Sequence, residues 1–107
     1  MSKLNNLFDK LNEALQEVRF NNEIKTLCYE LLGKAFEKGV VFEDIHSFSD
    51  DAIVLSALKI NGDKRKLFID NEEFVRVVWM TKNGDETKEN RHLFDEEAIP
   101  NLITILL

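Results

Sequence analysis

The chain has 107 residues, 44% of them hydrophobic and 32% charged, and its formal net charge at pH 7 is −6. A length of this order predicts a single domain, residues 1–107, with a core large enough to fold without a disulfide or a metal. The acidic balance argues against a nucleic-acid partner, because phosphate backbones are bound by clustered Lys and Arg.

The N-terminal part of the chain follows the helical period of about 3.6 residues. We expect Ser2 to cap a first helix and either Asn21 or Asn22 to cap a second, since their side-chain oxygens accept from unpaired amides of the first turn. Gly39 suits the left-handed residue that follows a helix. The short link between the first and the second predicted helix indicates a helical hairpin. The two apolar stripes are Leu4, Leu7, Phe8, Leu11, Ala14, Leu15 and Val18, and Ile24, Leu27, Cys28, Leu31, Leu32, Ala35 and Phe36.

After Gly39 the period of the apolar residues changes to about two, which indicates β-strands. Asn61-Gly62 and Asn83-Gly84 predict hairpin turns, the first of type I′ because both of its residues tolerate a positive φ. The basic run Lys64-Arg65-Lys66 is divided between two strand faces, as in a solvated hairpin arm. The pattern predicts an antiparallel β-meander of four to five strands. We expect these strands at 40–48, 52–60, 64–70 and 74–81, with a polar edge strand at 86–93.

The end of the chain has the apolar spacing of a helix. Asp95 is expected to cap this helix, and Pro100 to start it or kink it. The fold class predicted from the whole pattern is α+β: an N-terminal helical hairpin, the β-meander and a short C-terminal helix. The apolar face of the last helix is Ile99, Leu102, Ile103, Leu106 and Leu107.

The single cysteine, Cys28, lies within a helical apolar stripe, which is typical of a buried thiol rather than a disulfide. The sequence contains neither a signal-peptide pattern nor an apolar run long enough to cross a bilayer. We therefore expect a cytoplasmic protein with no membrane partner.

Signals for catalysis are weak. Residues 43–51 supply carboxylates and a histidine, but their spacing matches no EF-hand or zinc pattern, and strand alternation leaves only Asp44 and His46 on one face. Neither His46 nor His92 has an evident partner that would make it a general base. The sequence lacks a nucleophile elbow, a phosphate-binding loop and a paired-cysteine motif. We expect no enzyme activity, no catalytic residues, no cofactor and no metal.

Acidic residues concentrate at the predicted turns and strand ends. In a meander, alternate turns lie at the same end of the sheet, so several clusters are expected to converge and attract a basic protein. The alternative is that these turns are polar only because loops are exposed. Trp79 is a candidate anchor, since Trp is enriched at binding hot spots, although so apolar a strand favours packing beneath a helix. The candidate partner-binding residues are Glu43, Asp44, Asp50, Asp51, Asp70, Glu72, Glu73, Asp85, Glu86 and Trp79.

An acidic chain of this size, with a helical hairpin, a meander and a closing helix, resembles the immunity proteins of bacterial contact-dependent inhibition and polymorphic toxin systems. The resemblance spans the whole chain and concerns size, charge and element order. It implies an acidic surface that docks on a basic, nuclease-like toxin and blocks its active site. The alternative is a structural or accessory protein that forms a homodimer through its apolar C-terminal helix or a sheet edge.

Overall fold

The computed structural model describes residues 3–107, so the predicted cap Ser2 lies outside the described residues. The order of the elements confirms the predicted α+β class: two helices, an antiparallel sheet and a C-terminal helix. The elements are α1 Lys3–Gln16, α2 Asn22–Glu37, β1 Val41–Ser49, β2 Ala52–Leu58, β3 Lys64–Asp70, β4 Phe74–Met80, β5 Glu86–Lys88, β6 His92–Leu93 and α3 Ala98–Leu106.

The helical hairpin forms where the apolar spacing predicts it. Asn21 caps α2, and its side-chain oxygen accepts from the backbone N–H of Ile24 at 2.8 Å. Gly39 follows α2 with a φ of +96°, the left-handed conformation that glycine adopts without steric cost. Most residues of the two apolar stripes lie in one core with the sheet, with Leu11 and Leu31 completely buried, whereas Leu4 and Phe36 are partly exposed and lie outside this core.

The sheet has the order β1-β2-β3-β4-β5, with β6 also paired to β4, and all of its pairs are antiparallel. The expected edge strand at 86–93 is divided into β5 and β6, which pair with opposite ends of β4. Between them the backbone N–H of Glu89 donates to the carbonyl of Val77 at 2.9 Å, so the chain still follows the β4 edge.

Both Asn-Gly hairpins are present, but the predicted type I′ turn at Asn61-Gly62 is wrong. Within residues 3–107 only Glu73 and three glycines have a positive φ, so Asn61 does not. The N–H of Lys59 donates to the carbonyl of Asp63, and the N–H of Gly62 donates to the carbonyl of Lys59, at 2.8 and 2.9 Å. These bonds, with Gly62 at φ +92°, describe a type I turn followed by a glycine bulge. Residues 81–85 repeat the same pattern.

One face of the sheet packs against the helices and the other is open. The row formed by Leu55, Leu67 and Val77 crosses the three central strands and belongs to the core shared with the helices. Lys66 and Phe68 lie on the opposite face, as the alternation of β3 predicts. Val54 and Val78 are buried on that open face, at 2% and 4% exposure, without joining the helix-covered core.

The apolar face of α3 is part of the core rather than a free surface, with Ile99 and Leu106 each 1% exposed. Leu107, which was predicted on this face, follows the helix and is 51% exposed. The carboxylate of Asp95 accepts from the N–H of Ala98 at 3.0 Å, which satisfies one amide of the first turn. Pro100 lies in that same turn, where its missing N–H removes no intrahelical bond. Over residues 3–107, no helix combines the length and the apolar character needed to cross a bilayer.

Candidate functional site

Two of the predicted acidic turns converge at one end of the sheet. The turn that follows β1 contains Asp50 and Asp51, and the turn that follows β3 begins after Asp70. Asn71 joins them: its backbone N–H donates to the carbonyl of Asp51 at 2.8 Å, and its side-chain amide donates to the Asp51 carboxylate at 3.2 Å. The meander therefore brings these clusters together as expected.

Arginines accompany the carboxylates at this end of the sheet. Arg19, which follows α1, lies 4.0 Å from Asp50 and 3.3 Å from Asp51. Arg91, between β5 and β6, lies 3.4 Å from Asp70 and 3.5 Å from Glu72. Two cations thus face four carboxylates, and the field that these turns project into solvent is weaker than their sequence suggests.

Glu73, the remaining predicted acidic residue of the turn between β3 and β4, contributes to this end of the sheet through its backbone. Glu73 has a φ of +68°, and its carbonyl accepts from the N–H of Phe94 at 2.7 Å. That bond ties the β3–β4 turn to the segment that leads into α3.

The other predicted acidic residues lie apart from this end. On β1, Glu43 pairs with Lys64 at 2.9 Å, and Asp44 contacts His46 at 2.9 Å on the face that alternation predicts for both. Asp85 belongs to the turn between β4 and β5, and Glu86 on β5 lies 4.0 Å from Lys88. The predicted set is therefore distributed over three places on the molecule.

Trp79 lies on the helix-facing side of β4, half-buried against the core. Its indole N–H donates to Glu89 at 2.9 Å, and the guanidinium of Arg65 lies 4.3 Å from the ring centroid. Arg65 is only 8% exposed, so its charge is stabilised mainly by the ring face and by a bond from its Nη1 to the Lys64 carbonyl at 3.1 Å. Trp79 is thus held by its contacts with Arg65 and Glu89 and packs against the core.

A second acidic surface is formed by α2 and the segment before α3. Five carboxylates line a groove of about 520 Å³ together with Thr26 and Leu27. Within residues 3–107, only Glu30 among the five has a cation within 4.0 Å, namely Lys34 at 3.1 Å. We call this surface the acidic groove and define it by Glu23, Glu30, Asp95, Glu96 and Glu97.

None of the five carboxylates of the acidic groove is among the predicted partner-binding residues. The run at 95–97 is visible as an acidic cluster, whereas Glu23 and Glu30 are two turns apart on α2 and are separated from that run by most of the sheet. Their spacing places both on one helical face, which is the signal available before the fold is known.

A neighbouring groove of about 670 Å³ shares Asp95 and Glu97 with the acidic groove. It lies between α3 and the β4–β6 edge and adds Glu89 and His92, whose side chains approach to 3.5 Å. The two grooves together make a continuous concave surface with more acidic than basic groups. Among residues 3–107, no group of three or more His, Cys, Asp or Glu side chains is arranged to hold a metal ion.

Comparison with known proteins does not assign this surface. No protein-family model matches the chain, and no match was found among curated proteins or among solved structures. A functional assignment therefore depends on the geometry and the charges of the chain itself.

Proposed function

We propose that this protein binds a basic protein partner through the acidic groove and inhibits it, in the manner of a toxin-neutralising immunity protein. The observation that carries the proposal is the set of unpaired carboxylates on this surface: Glu23, Glu96 and Glu97 have no cation within 4.0 Å in the described part of the chain. The turn clusters at the other surface are accompanied by Arg19 and Arg91.

Carboxylates that lack a cationic side chain within 4.0 Å favour a cationic partner for two physical reasons when they line a concave surface. Their field extends into solvent over about a Debye length, roughly 8 Å at physiological salt, so it increases the rate of encounter with a basic protein. Because the charges also converge on one concave surface, Lys and Arg side chains of a single partner can contact several of them at once. An inhibitor that covers a basic active site needs both rapid encounter with its partner and strong binding to it.

An affinity-capture experiment, in which the wild type and two matched variants serve as bait for a binding partner, tests this proposal. Glu23→Gln, Glu96→Gln and Glu97→Gln together remove three charges from the acidic groove while keeping side-chain size. Asp9→Asn, Glu13→Gln and Glu37→Gln remove three charges from exposed helical positions elsewhere and serve as the control. We expect the wild type and the control to retain one stoichiometric basic protein at moderate salt, and the groove variant to lose it.

The captured protein then provides the functional assay. Its activity should fall to a minimum at a one-to-one ratio with the wild type, and the association rate should fall as salt rises. Undiminished capture by the groove variant, or a captured protein that keeps its activity when saturated, would contradict the proposal.

A further inference from the structure

The open face of the sheet carries a cavity to which no helix contributes. Its volume is about 540 Å³, and its walls come from β1 to β5 and from Arg91. This volume is within the range of about 300–1,000 Å³ that is typical of small-molecule sites. The cavity lies on the opposite side of the sheet from the helix layer that forms the acidic groove, so it is a separate surface.

The floor of this open-face cavity is aromatic and apolar. Phe48 and Phe68 meet edge to face, with their ring centroids 5.4 Å apart, beside the buried side chain of Val78. Phe48 is nevertheless 65% exposed, so its ring is accessible from solvent. An accessible aromatic ring above an apolar floor suits a flat ring that stacks on it.

The walls of the cavity are predominantly basic. Lys66 lies opposite Val78, and Arg76 lies opposite Phe68, so the two cations are diagonal neighbours on adjacent strands. Within residues 3–107 neither has a carboxylate within 4.0 Å, whereas Arg91 at the rim is held by Asp70. Four cationic side chains line the cavity against two carboxylates. An anion placed between Lys66 and Arg76 would relieve their mutual repulsion.

From these observations we infer that the open-face cavity binds a small aromatic anion, with its ring stacked on Phe48 and its phosphate or carboxylate between Lys66 and Arg76. A ligand the size of a nucleoside monophosphate fits the volume. A long polyanion fits less well, because each additional phosphate interacts with a chain whose net charge is −6.

Amide NMR titrations with defined probes test this inference. The probes are thymidine 5′-monophosphate and p-nitrophenyl phosphate, compared with thymidine and with inorganic phosphate alone. We expect both aromatic phosphates to shift amides of β3 and β4, and to bind at least about tenfold more tightly than either half-ligand, since ring and anion are held together.

Two variants and a control separate the contributions. Lys66→Gln with Arg76→Gln should weaken the binding of the aromatic phosphates at least about tenfold. Lys10→Gln in α1 with Lys38→Gln, directly after α2, should leave that binding unchanged. Phe48→Ala should weaken the binding of the aromatic phosphates but not the binding of inorganic phosphate.

Three results would overturn the inference. The first is an absence of shifts on β3 and β4 with both aromatic phosphates. The second is equal affinity of the Lys66→Gln, Arg76→Gln variant and the wild type. The third is much tighter, strongly salt-dependent binding of an oligothymidylate of about ten nucleotides, which would assign the face to single-stranded nucleic acid instead.

Discussion

Two buried residues, Cys28 and Arg65, show what a local sequence pattern can predict about a side chain and what it cannot. Cys28 was predicted to be buried from its place in a helical stripe, and it is completely buried. Alternation also placed Arg65 correctly on the face of Leu67 and Ile69. The stacking of Arg65 on Trp79 could not be predicted, because it depends on the register between β3 and β4 that makes the two residues direct neighbours.

Cys28 should make the stability of the protein sensitive to alkaline pH. Burial raises the pKa of its thiol from 9.0 to about 12, so between these values the unfolded chain has lost a proton that the folded chain keeps. Unfolding free energy therefore falls as pH rises. Between about pH 8 and about pH 10, urea titrations should show a loss of unfolding free energy that is about 1 kcal/mol smaller in Cys28→Ala than in the wild type. Equal losses in the two proteins would show that the folded thiol ionises freely.

At the scale of elements, the hairpins show which part of a turn signal is reliable. Asn-Gly correctly marked both connections, since glycine adopts a positive φ without the steric cost of a side chain. The turn type differed because each loop includes one more residue than a type I′ hairpin, and only the glycine takes the left-handed conformation. Composition identifies the turn, whereas the register of the flanking strands decides its geometry.

Two glycine substitutions should change stability in opposite directions. Gly84 has a φ of +95° and open space around an added Cβ, so Gly84→Ala should cost about 1–2 kcal/mol from backbone strain alone. Gly33 lies within α2, and an added Cβ would meet Phe8 at an ordinary 3.7 Å. Gly33→Ala should therefore stabilise the protein by about 0.5–1 kcal/mol. Urea titrations measure both changes, and a neutral Gly84→Ala would contradict the turn geometry described above.

For the whole molecule, the element order followed from the sequence because it depends on local periodicity and turn residues. The distribution of charge did not, because it depends on contacts between distant positions. Arg19 reaches Asp51 across 32 residues, and Arg91 reaches the turn that follows β3. The acidic groove likewise joins α2 to the segment before α3. The acidic turns could be listed from the sequence, but which of them keep an unpaired charge could not.

The resulting charge distribution gives the two sides of the molecule different characters. The helix side carries the acidic groove, whereas the open sheet face carries a cavity lined by four cationic side chains. The net charge of −6 therefore describes neither surface by itself.

The most direct test of the acidic groove as the docking surface is an amide NMR titration of the isotope-labelled protein with a short polyarginine peptide at moderate salt. The peptide is a basic ligand with no shape preference, so it reports where uncompensated negative charge lies. We predict the largest shifts at Glu23, Glu30 and residues 95–97, and their loss in the Glu23→Gln, Glu96→Gln, Glu97→Gln variant. Larger shifts at Asp50, Asp51 and Asp70, or shifts spread evenly over all acidic positions, would contradict the account.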